Sequence, residues 1–378
     1  MLPELLVRHA HSWRARGATR AAFLAAVFAG VLLATAPPAS GVPQTLVTWP
    51  TQIRAFAQDG PFVAWIARAP NTVLPWCGRT HIQSLPTGAH RSFGTRTAPV
   101  CGGGLALGRN RALWTTDPGL CGNCQYSARV FTAALHSPRV VTVATVVAWW
   151  GVGTHLTGLA ADWRLLAVAQ TRYVQVDTDP SCLEEPVPCV FKPRGGRVTQ
   201  VIGGDRRVVP GIGPPAVLAV GGGRIAVAPS ADQWEDQTDV PPAENGPVLV
   251  VNPTTGASVA TVAPAGTVRA LALSVRALAA LVERTDGSLV VERYALPAGT
   301  LVSSATVNQR TDPRIDIGDK WTVYRVGRRV RLIGPGGATR PLIHTAFSPI
   351  GLSIEGRRVA WATNGDGLHR IRAVLAPP

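Results

Sequence analysis

Lysine is almost absent from this chain, and acidic residues are few. Only two of the 37 basic residues are lysine, against 22 acidic residues, so the formal net charge is +15. Such an excess of arginine, with abundant alanine, glycine, proline and valine, is typical of a GC-rich genome. No zinc-finger spacing, helix-turn-helix pattern or RNA-binding aromatic motif accompanies the arginines. A nucleic acid is therefore not expected as a partner, whereas a protein or an anionic polymer of the cell envelope is.

Segments without glycine or proline are also scarce, which excludes long helices from most of the chain. With 39 glycines and 32 prolines, almost every window of a dozen residues contains a helix breaker. The exception is Ala21–Ala36, a charge-free run that follows four arginines and precedes small residues at 37–41. This order predicts a secretory signal helix over residues 1–41, either cleaved or kept as an anchor. The protein is then secreted or extracytoplasmic, touching a membrane only through that segment.

Cysteines are few but even in number, and all lie in the part predicted to be exported. They are Cys77, Cys101, Cys121, Cys124, Cys182 and Cys189. In an oxidising compartment such a set predicts disulfides, and proximity along the chain favours pairing them two by two in that order. Only one pair has the CxxC spacing, with no second pair or histidine pair in step, so no metal site is expected.

Catalytic motifs are missing as well. The sequence has no nucleophile elbow, no zinc-protease motif and no phosphate-binding glycine loop before a helix. His81, His155 and Asp162 could form a site only if the fold brought them together. No cofactor is predicted, and an enzyme is not the favoured interpretation.

What the sequence does contain is a repeat. From residue 44 onward, short apolar runs alternate with turn residues, a pattern typical of β-strands. One unit recurs, an apolar strand, a tight polar turn and a second apolar strand, with copies near residues 53, 105, 156, 217, 268, 313 and 351. A Pro–Gly turn follows further along several copies, at 85–89, 252–257, 296–300 and 334–339, and indicates a second hairpin.

Four antiparallel strands per unit, repeated seven times, predict an all-β fold, a seven-bladed β-propeller over residues 44–378. Six or eight blades are alternatives, and a pair of β-sandwiches would not explain the repeat. The last copy contains only three strands, at 349–356, 358–363 and 368–375. Residues 44–50 have the composition of a strand and no partner of their own. We therefore expect them to supply the fourth strand and close the ring.

The last copy also carries a resemblance to a known family. Its segment SIEGRRVAWATNGDGLHRIRAV (353–374) resembles the TolB-like propeller repeat, in which Ser-Pro-Asp-Gly-Arg-Arg-Ile-Ala-Phe leads through an Asp-Gly turn to an Ile-Tyr-Val strand. The middle copies keep the pattern but lose the Asp-Gly turn. The resemblance implies a secreted or periplasmic propeller that binds a partner, and a fold does not determine a function.

Propeller geometry predicts where that partner binds. With strands A to D counted outward from the axis, the A–B and C–D turns share one side, here called the turn side. The B–C loops and D–A connections share the other, the loop side, and the long segments 69–79, 118–126, 172–190 and 231–246 fall there. The predicted binding residues are Trp76, Trp149, Trp150, His155, Asp232, Trp234, Glu235 and Asp236. The acidic stretch 231–239 is interpreted as a solvated loop in preference to a calcium site.

Two functions follow from these observations. The first is an exported, non-catalytic propeller, a monomer that binds a protein or an envelope polymer at the bacterial cell envelope. The alternative is a propeller hydrolase or lyase that acts on a glycan or lactone. Carboxylates or histidines that converge at the mouth of the axis with shifted pKa values would favour the alternative.

Overall fold

The structure is a computed structural model. It describes residues 42–68, 77–94, 100–101, 104–116, 125–149, 152–163, 165–175, 190–202, 205–230, 233–234, 246–307, 314–365 and 367–378. Contacts within Pro43–Pro378 make it one compact unit. The predicted signal at residues 1–41 lies outside the described residues. Among the residues that are described, no helix has the length and apolar character needed to cross a membrane.

Thirty strands make up the described chain. The first half contains β1 (Gln44–Trp49), β2 (Ile53–Asp59), β3 (Phe62–Arg68), β4 (Cys77–Ser84), β5 (His90–Phe93), β6 (Val100–Cys101), β7 (Leu105–Gly108), β8 (Arg111–Thr116), β9 (Gln125–Ala134), β10 (Val141–Trp149), β11 (Val152–Asp162), β12 (Leu165–Gln175), β13 (Val190–Ile202) and β14 (Asp205–Val208). The second half contains β15 (Pro215–Gly221), β16 (Arg224–Pro229), β17 (Gln233–Trp234), β18 (Val248–Val251), β19 (Ser258–Val262), β20 (Thr267–Leu273), β21 (Ala277–Glu283), β22 (Leu289–Ala295), β23 (Thr300–Val307), β24 (Ile315–Ile317), β25 (Thr322–Val326), β26 (Arg329–Ile333), β27 (Thr339–His344), β28 (Ile350–Glu355), β29 (Arg358–Asn364) and β30 (His369–Leu375).

Within the described residues these strands form six sheets with antiparallel pairing. Five sheets are built on a four-strand order: β2-β3-β4-β5 with β6 added, β15-β16-β18-β19, β20-β21-β22-β23, β24-β25-β26-β27, and β28-β29-β30-β1. The sixth has nine strands, with β7 to β14 in one path and β17 paired to β13. The seven sequence units therefore correspond to six hydrogen-bonded sheets, because β10 and β11 pair where one unit passes into the next.

The inner strands of these units contact one another around a closed path. In sequence order β2 contacts β7, β7 contacts β11, β11 contacts β15, β15 contacts β20, β20 contacts β24, β24 contacts β28, and β28 returns to β2. Sheets that radiate from such a ring of inner strands are the blades of a β-propeller. The all-β propeller that the repeat predicts is confirmed.

The ring closes through its two ends. β1 pairs antiparallel with β30, with Trp49 opposite His369, so the closure predicted for residues 44–50 and 368–375 is confirmed. Trp49 then packs on the first blade, with its ring centroid 5.0 Å from that of Trp65 and 4.4 Å from that of His81. His81 Nδ1 lies 3.2 Å from His90 Nε2, which completes an aromatic and histidine cluster at the seam.

The hydrophobic cores lie between neighbouring blades, and side chains of the second strand of each blade contribute to them. Trp65, Trp114, Trp321 and Trp361 are all buried. At one junction the packing leaves room only for glycine. A Cβ on Gly221, the last residue of β15, would lie 1.8 Å from the carbonyl oxygen of Leu273 in the next blade.

Candidate binding face

The loop side is unusual where β9 to β13 run past the ring. β11 and β12 have 11 residues each and β13 has 13, whereas β20, β21 and β22 have seven each. We call their extensions, residues 145–149, 152–156, 171–175 and 190–196, the raised sheet. β10 and β11 pair at Ala148 and Gly153, and β17 pairs with the start of β13. The raised sheet is therefore continuous with the blades beneath it.

A small core of its own supports the raised sheet. Tyr173 of β12 and Phe191 of β13 are buried against each other. The ring of His155 meets that of Tyr173 edge-on at 5.5 Å, and burial raises the pKa of the Tyr173 hydroxyl. Below them the Thr171 hydroxyl donates to the carbonyl oxygen of Pro215 at 2.6 Å. Aromatic packing and this link to the next blade hold the raised sheet in place.

The surface of the raised sheet combines apolar and cationic side chains. Val147 and Val152 are 44% and 36% exposed, and Arg172 and Arg194 are exposed beside them in β12 and β13. The described residues of the raised sheet include no aspartate or glutamate. The connecting segments 176–189 and 235–245 contain acidic residues and lie outside the described part of the chain.

The structure brings several predicted binding residues to this sheet. His155 lies in β11 opposite Thr171. Trp149 lies in β10 opposite Val152, and Trp234 lies in β17 opposite Val190. The other predicted residues, Trp76, Trp150, Asp232, Glu235 and Asp236, lie outside the described residues. Their role stays a prediction, as does the interpretation of residues 231–239.

The cysteines are only partly described. Cys77 is buried at the start of β4, opposite Cys101 of β6 in an antiparallel pair. This register fits the predicted pairing of the first two cysteines. Cys121, Cys124, Cys182 and Cys189 lie outside the described residues. The disulfides stay a prediction.

A cavity of about 300 Å³ follows the axis of the ring, and residues of every inner strand line it. Asp59, Asp162 and Glu355 end their inner strands at its turn-side mouth, and Asp316 lies in β24. Burial raises the pKa of Asp59 and of Asp316 to about 6, and it raises the pKa of Asp162 and Glu355 as well.

Each of these carboxyls is also a link between blades. Asp59 accepts the backbone N–H of Arg109, and Asp162 accepts that of Gly222 at 2.8 Å. Both donors lie in the A–B turn of the following blade. Hydrogen bonds to the charged form oppose the effect of burial on the pKa. This arrangement gives the carboxyls a structural task, the joining of neighbouring blades.

The two remaining carboxyls are bound in the same way. Asp316 accepts the N–H of Ile354 at 2.7 Å and the hydroxyl of Ser353 at 2.9 Å, and Glu355 accepts the N–H of Gly60. In the described part of the chain, no group of three histidine, cysteine or acidic side chains is placed to hold a metal ion.

The histidine and aspartate set considered from the sequence does not assemble. His155 lies on the raised sheet at one end of β11, and Asp162 ends the same strand at the axial mouth. His81 lies in β4 with His90 and Trp65, away from both. The fold therefore separates the three side chains that the sequence left as a candidate site.

Two side chains at the turn side were not identified from the sequence. Trp163 is 46% exposed, and the guanidinium of Arg109 lies 4.7 Å from its ring centroid. The two residues occupy the A–B turns of adjacent blades, both with positive φ. In the sequence, the axial mouth is marked by an acidic residue that ends an inner strand just before the turn. Examples are Asp59-Gly60, Asp162-Trp163 and Glu355-Gly356.

Comparisons with known proteins show the fold alone. No family model matches the chain, and no curated protein matches it. A chain in the crystal structure of the Mitotic Checkpoint Complex is similar over 89% of this chain and 92% of that chain, with 10% identity and a TM-score of 0.50.

Two further solved structures are similar at lower TM-scores. BamB from Moraxella catarrhalis covers 89% of this chain and 92% of its own, with 13% identity and a TM-score of 0.43. The β-propeller domain of the Trilobed protease from Pyrococcus furiosus covers 87% and 94%, with 10% identity and a TM-score of 0.48. The fold assignment depends on the ring of inner strands.

Proposed function

We propose that this protein is a non-catalytic binding module whose protein partner docks on the raised sheet of the loop side. The observation that carries the proposal is the extension of β10 to β13 beyond the ring. Strands that only complete a blade need no such length, and paired strands with their own aromatic core form a rigid platform for recognition.

The surface of that platform indicates the chemistry of the partner. Val147 and Val152 supply exposed apolar area, and Arg172 and Arg194 supply positive charge at its margin. Arginine is enriched at protein interfaces, and complementary charge increases the rate of association. The proposed partner surface is therefore acidic around an apolar centre.

Export to the cell envelope is part of the same proposal. It is supported by the arginine-rich segment and apolar run within residues 1–41, ahead of the propeller at 44–378, and by the six cysteines. The opposite register positions of Cys77 and Cys101 support a first disulfide. A monomer bound to its partner is the proposed state.

We further infer a ring of seven blades. The nine-stranded sheet contains two successive four-strand meanders, β7 to β10 and β11 to β14, and each contributes its own inner strand to the closed path. Together with the other five sheets, these two meanders give seven, the number of repeat units in the sequence.

The experiment is an envelope capture with matched charge reversals. The full chain, Arg172→Glu/Arg194→Glu and the control Arg207→Glu/Arg276→Glu are each cross-linked in native envelopes at low and high salt. The proposal expects one protein to be captured by the wild type and the control, and captured at least about tenfold less by the raised-sheet variant. Equal losses in both variants would assign binding to net charge and contradict the proposal.

A second candidate, a hydrolase or lyase that acts on a glycan or lactone, is favoured by one observation. Four carboxyls with raised pKa values lie along the axial cavity, and such values suit general acid catalysis. Turnover of a glycan or lactone panel that is lost in Asp316→Asn, with the fold intact by circular dichroism, would establish this candidate in place of the first.

A further inference from the structure

A second cavity lies away from the axis, between the sixth and seventh repeat units. Its volume is about 330 Å³, within the range of ligand pockets. One wall comes from the end of β27 and the segment after it, with Ile343, His344 and Phe347. The other comes from β29, β30 and the loop between them, with Trp361, Leu368 and Arg370. It is distinct from both the raised sheet and the axial mouth.

Two arginines line this cavity. Arg370 and Arg372 lie two residues apart in β30, opposite Thr363 and Trp361 of β29, so they share one face of the sheet. Ile371, between them, is buried in the core on the other face. No aspartate or glutamate is among the described residues that line the cavity. Neither guanidinium forms an ion pair with a carboxylate in the part of the chain that the structure describes.

An indole that lacks an acceptor belongs to the wall of the cavity. Trp361 is only 1% exposed and lines the cavity, yet its Nε1–H has no acceptor among the described residues. The Nε atom of Arg372 is buried without an acceptor as well. Buried donors without partners cost free energy, and a protein group, a water molecule or an ion usually completes them.

The remaining walls are apolar and partly open. Phe347 and Leu368 are 41% and 46% exposed, and Ile343 lies beside them. Gly365 has no Cβ, and a Cβ there would lie 2.9 Å from Cε2 of Phe347. The phenyl ring therefore occupies space that any other residue at position 365 would fill.

We propose that this cavity binds a carboxylate carried on an apolar group of about the size of one hydrophobic side chain. Arg370 and Arg372 hold the carboxylate, because two guanidinium groups match an anion with several acceptor lone pairs. Phe347, Leu368 and Ile343 enclose the apolar group. The chemistry is shared by a free aromatic or aliphatic acid and by the C-terminal residue of a peptide.

Calorimetric titration of the full chain tests the proposal with N-acetyl-L-phenylalanine and its amide. The acid should bind, and the amide should bind at least about tenfold more weakly, because it lacks the charge. Arg370→Gln and Arg372→Gln should each weaken binding of the acid by about tenfold, whereas Arg207→Gln, with the same charge change at an exposed site, should not. Gly365→Ala should also weaken binding of the acid, because it displaces Phe347.

Three results would overturn the proposal. They are equal binding of the acid and the amide, an equal loss of affinity in Arg207→Gln, and no binding of the acid at millimolar concentration. The acid-to-amide comparison needs no variant, so it decides even if Arg372→Gln fails to fold. A peptide ending in phenylalanine with a free carboxylate identifies the source. Binding about tenfold tighter than the acid indicates a peptide C-terminus, and equal binding indicates a free acid.

Discussion

The blade formed by β20 to β23 and the raised sheet are built from the same kind of strand but differ in what surrounds them. The blade has strands of seven or eight residues, packed between neighbours on both sides. Strand β13 has 13 residues, and its first part rises beyond the ring.

The raised sheet is held by its own pairing, by the small core of Tyr173 and Phe191, and by the hydrogen bond from Thr171 to Pro215 of the next blade. Regions with few buried contacts tolerate substitution better than close-packed interiors. We therefore expect the ring to contribute most of the stability, which leaves the raised sheet available for the proposed recognition.

The greatest loss of stability is expected from a glycine-to-alanine substitution in the ring, and the same substitution in the raised sheet serves for comparison. In Gly221→Ala the new Cβ would lie 1.8 Å from the carbonyl oxygen of Leu273, a backbone atom that cannot move without parting two blades. We expect the free energy of unfolding to fall by more than about 4 kcal/mol.

The matched variant is Gly195→Ala in the raised sheet, where nothing lies within 4 Å of the new Cβ. Its free energy of unfolding should stay within about 0.5 kcal/mol of the wild type. Urea denaturation of both variants measures the difference. Similar values for the two would show that the ring is no more tightly packed than the raised sheet.

The next effect concerns two ion pairs in one blade. Glu292 is buried, receives the guanidinium of Arg284 and accepts the Tyr294 hydroxyl at 2.5 Å. Glu292→Ala leaves both partners without their acceptor and should cost about 3 kcal/mol. Arg269 pairs with Glu283 at 2.5 Å but is half exposed, so Arg269→Ala should cost less than about 1 kcal/mol. Thermal unfolding of the two variants checks the ranking, and an equal loss would contradict it.

The ring could be predicted from the sequence because its pattern is local. Each unit carries an apolar strand pair and a polar turn, and the missing fourth strand of the last unit indicated the pairing of residues 44–50. The burial of Trp65 and Trp361 follows from their place in second strands. Short-range alternation and turn chemistry contain this information.

The candidate sites could be predicted only in part. The loop side was identified by its long segments, yet the pairing of β10 with β11 and of β17 with β13 depends on contacts between units. The cavity beside Arg370 and Arg372 exists because two units meet there. Periodicity within a unit does not contain such contacts between units.

We expect the stability of the protein to depend on pH through the seam of the ring, where Trp49 packs on the first blade. Burial, and then the neighbouring His90, lower the pKa of His81 to about 3. The unfolded chain takes up a proton at His81 below its ordinary pKa of 6.5, while the folded chain does not. The free energy of unfolding should therefore fall as the pH drops from 6.5 toward 3.

His81→Gln removes this titration, so its free energy of unfolding should depend less steeply on pH in that window. Denaturation at a series of pH values measures the slope. Asp59 acts in the opposite direction, because its pKa is raised to about 6 and its contribution is lost as the pH rises through that value. An unchanged slope in His81→Gln would show that the seam does not govern acid sensitivity.

The smallest expected effect on stability lies on the raised sheet itself. Val147 is 44% exposed, so Val147→Ser exchanges apolar surface that is largely in water and should change the free energy of unfolding by less than about 0.5 kcal/mol. The same substitution removes apolar area from the proposed interface and should weaken partner capture several-fold. Denaturation and envelope capture of one preparation give both values. If stability falls while capture is unchanged, the exposed strands serve the fold, and the division between a stable ring and a recognising raised sheet is wrong.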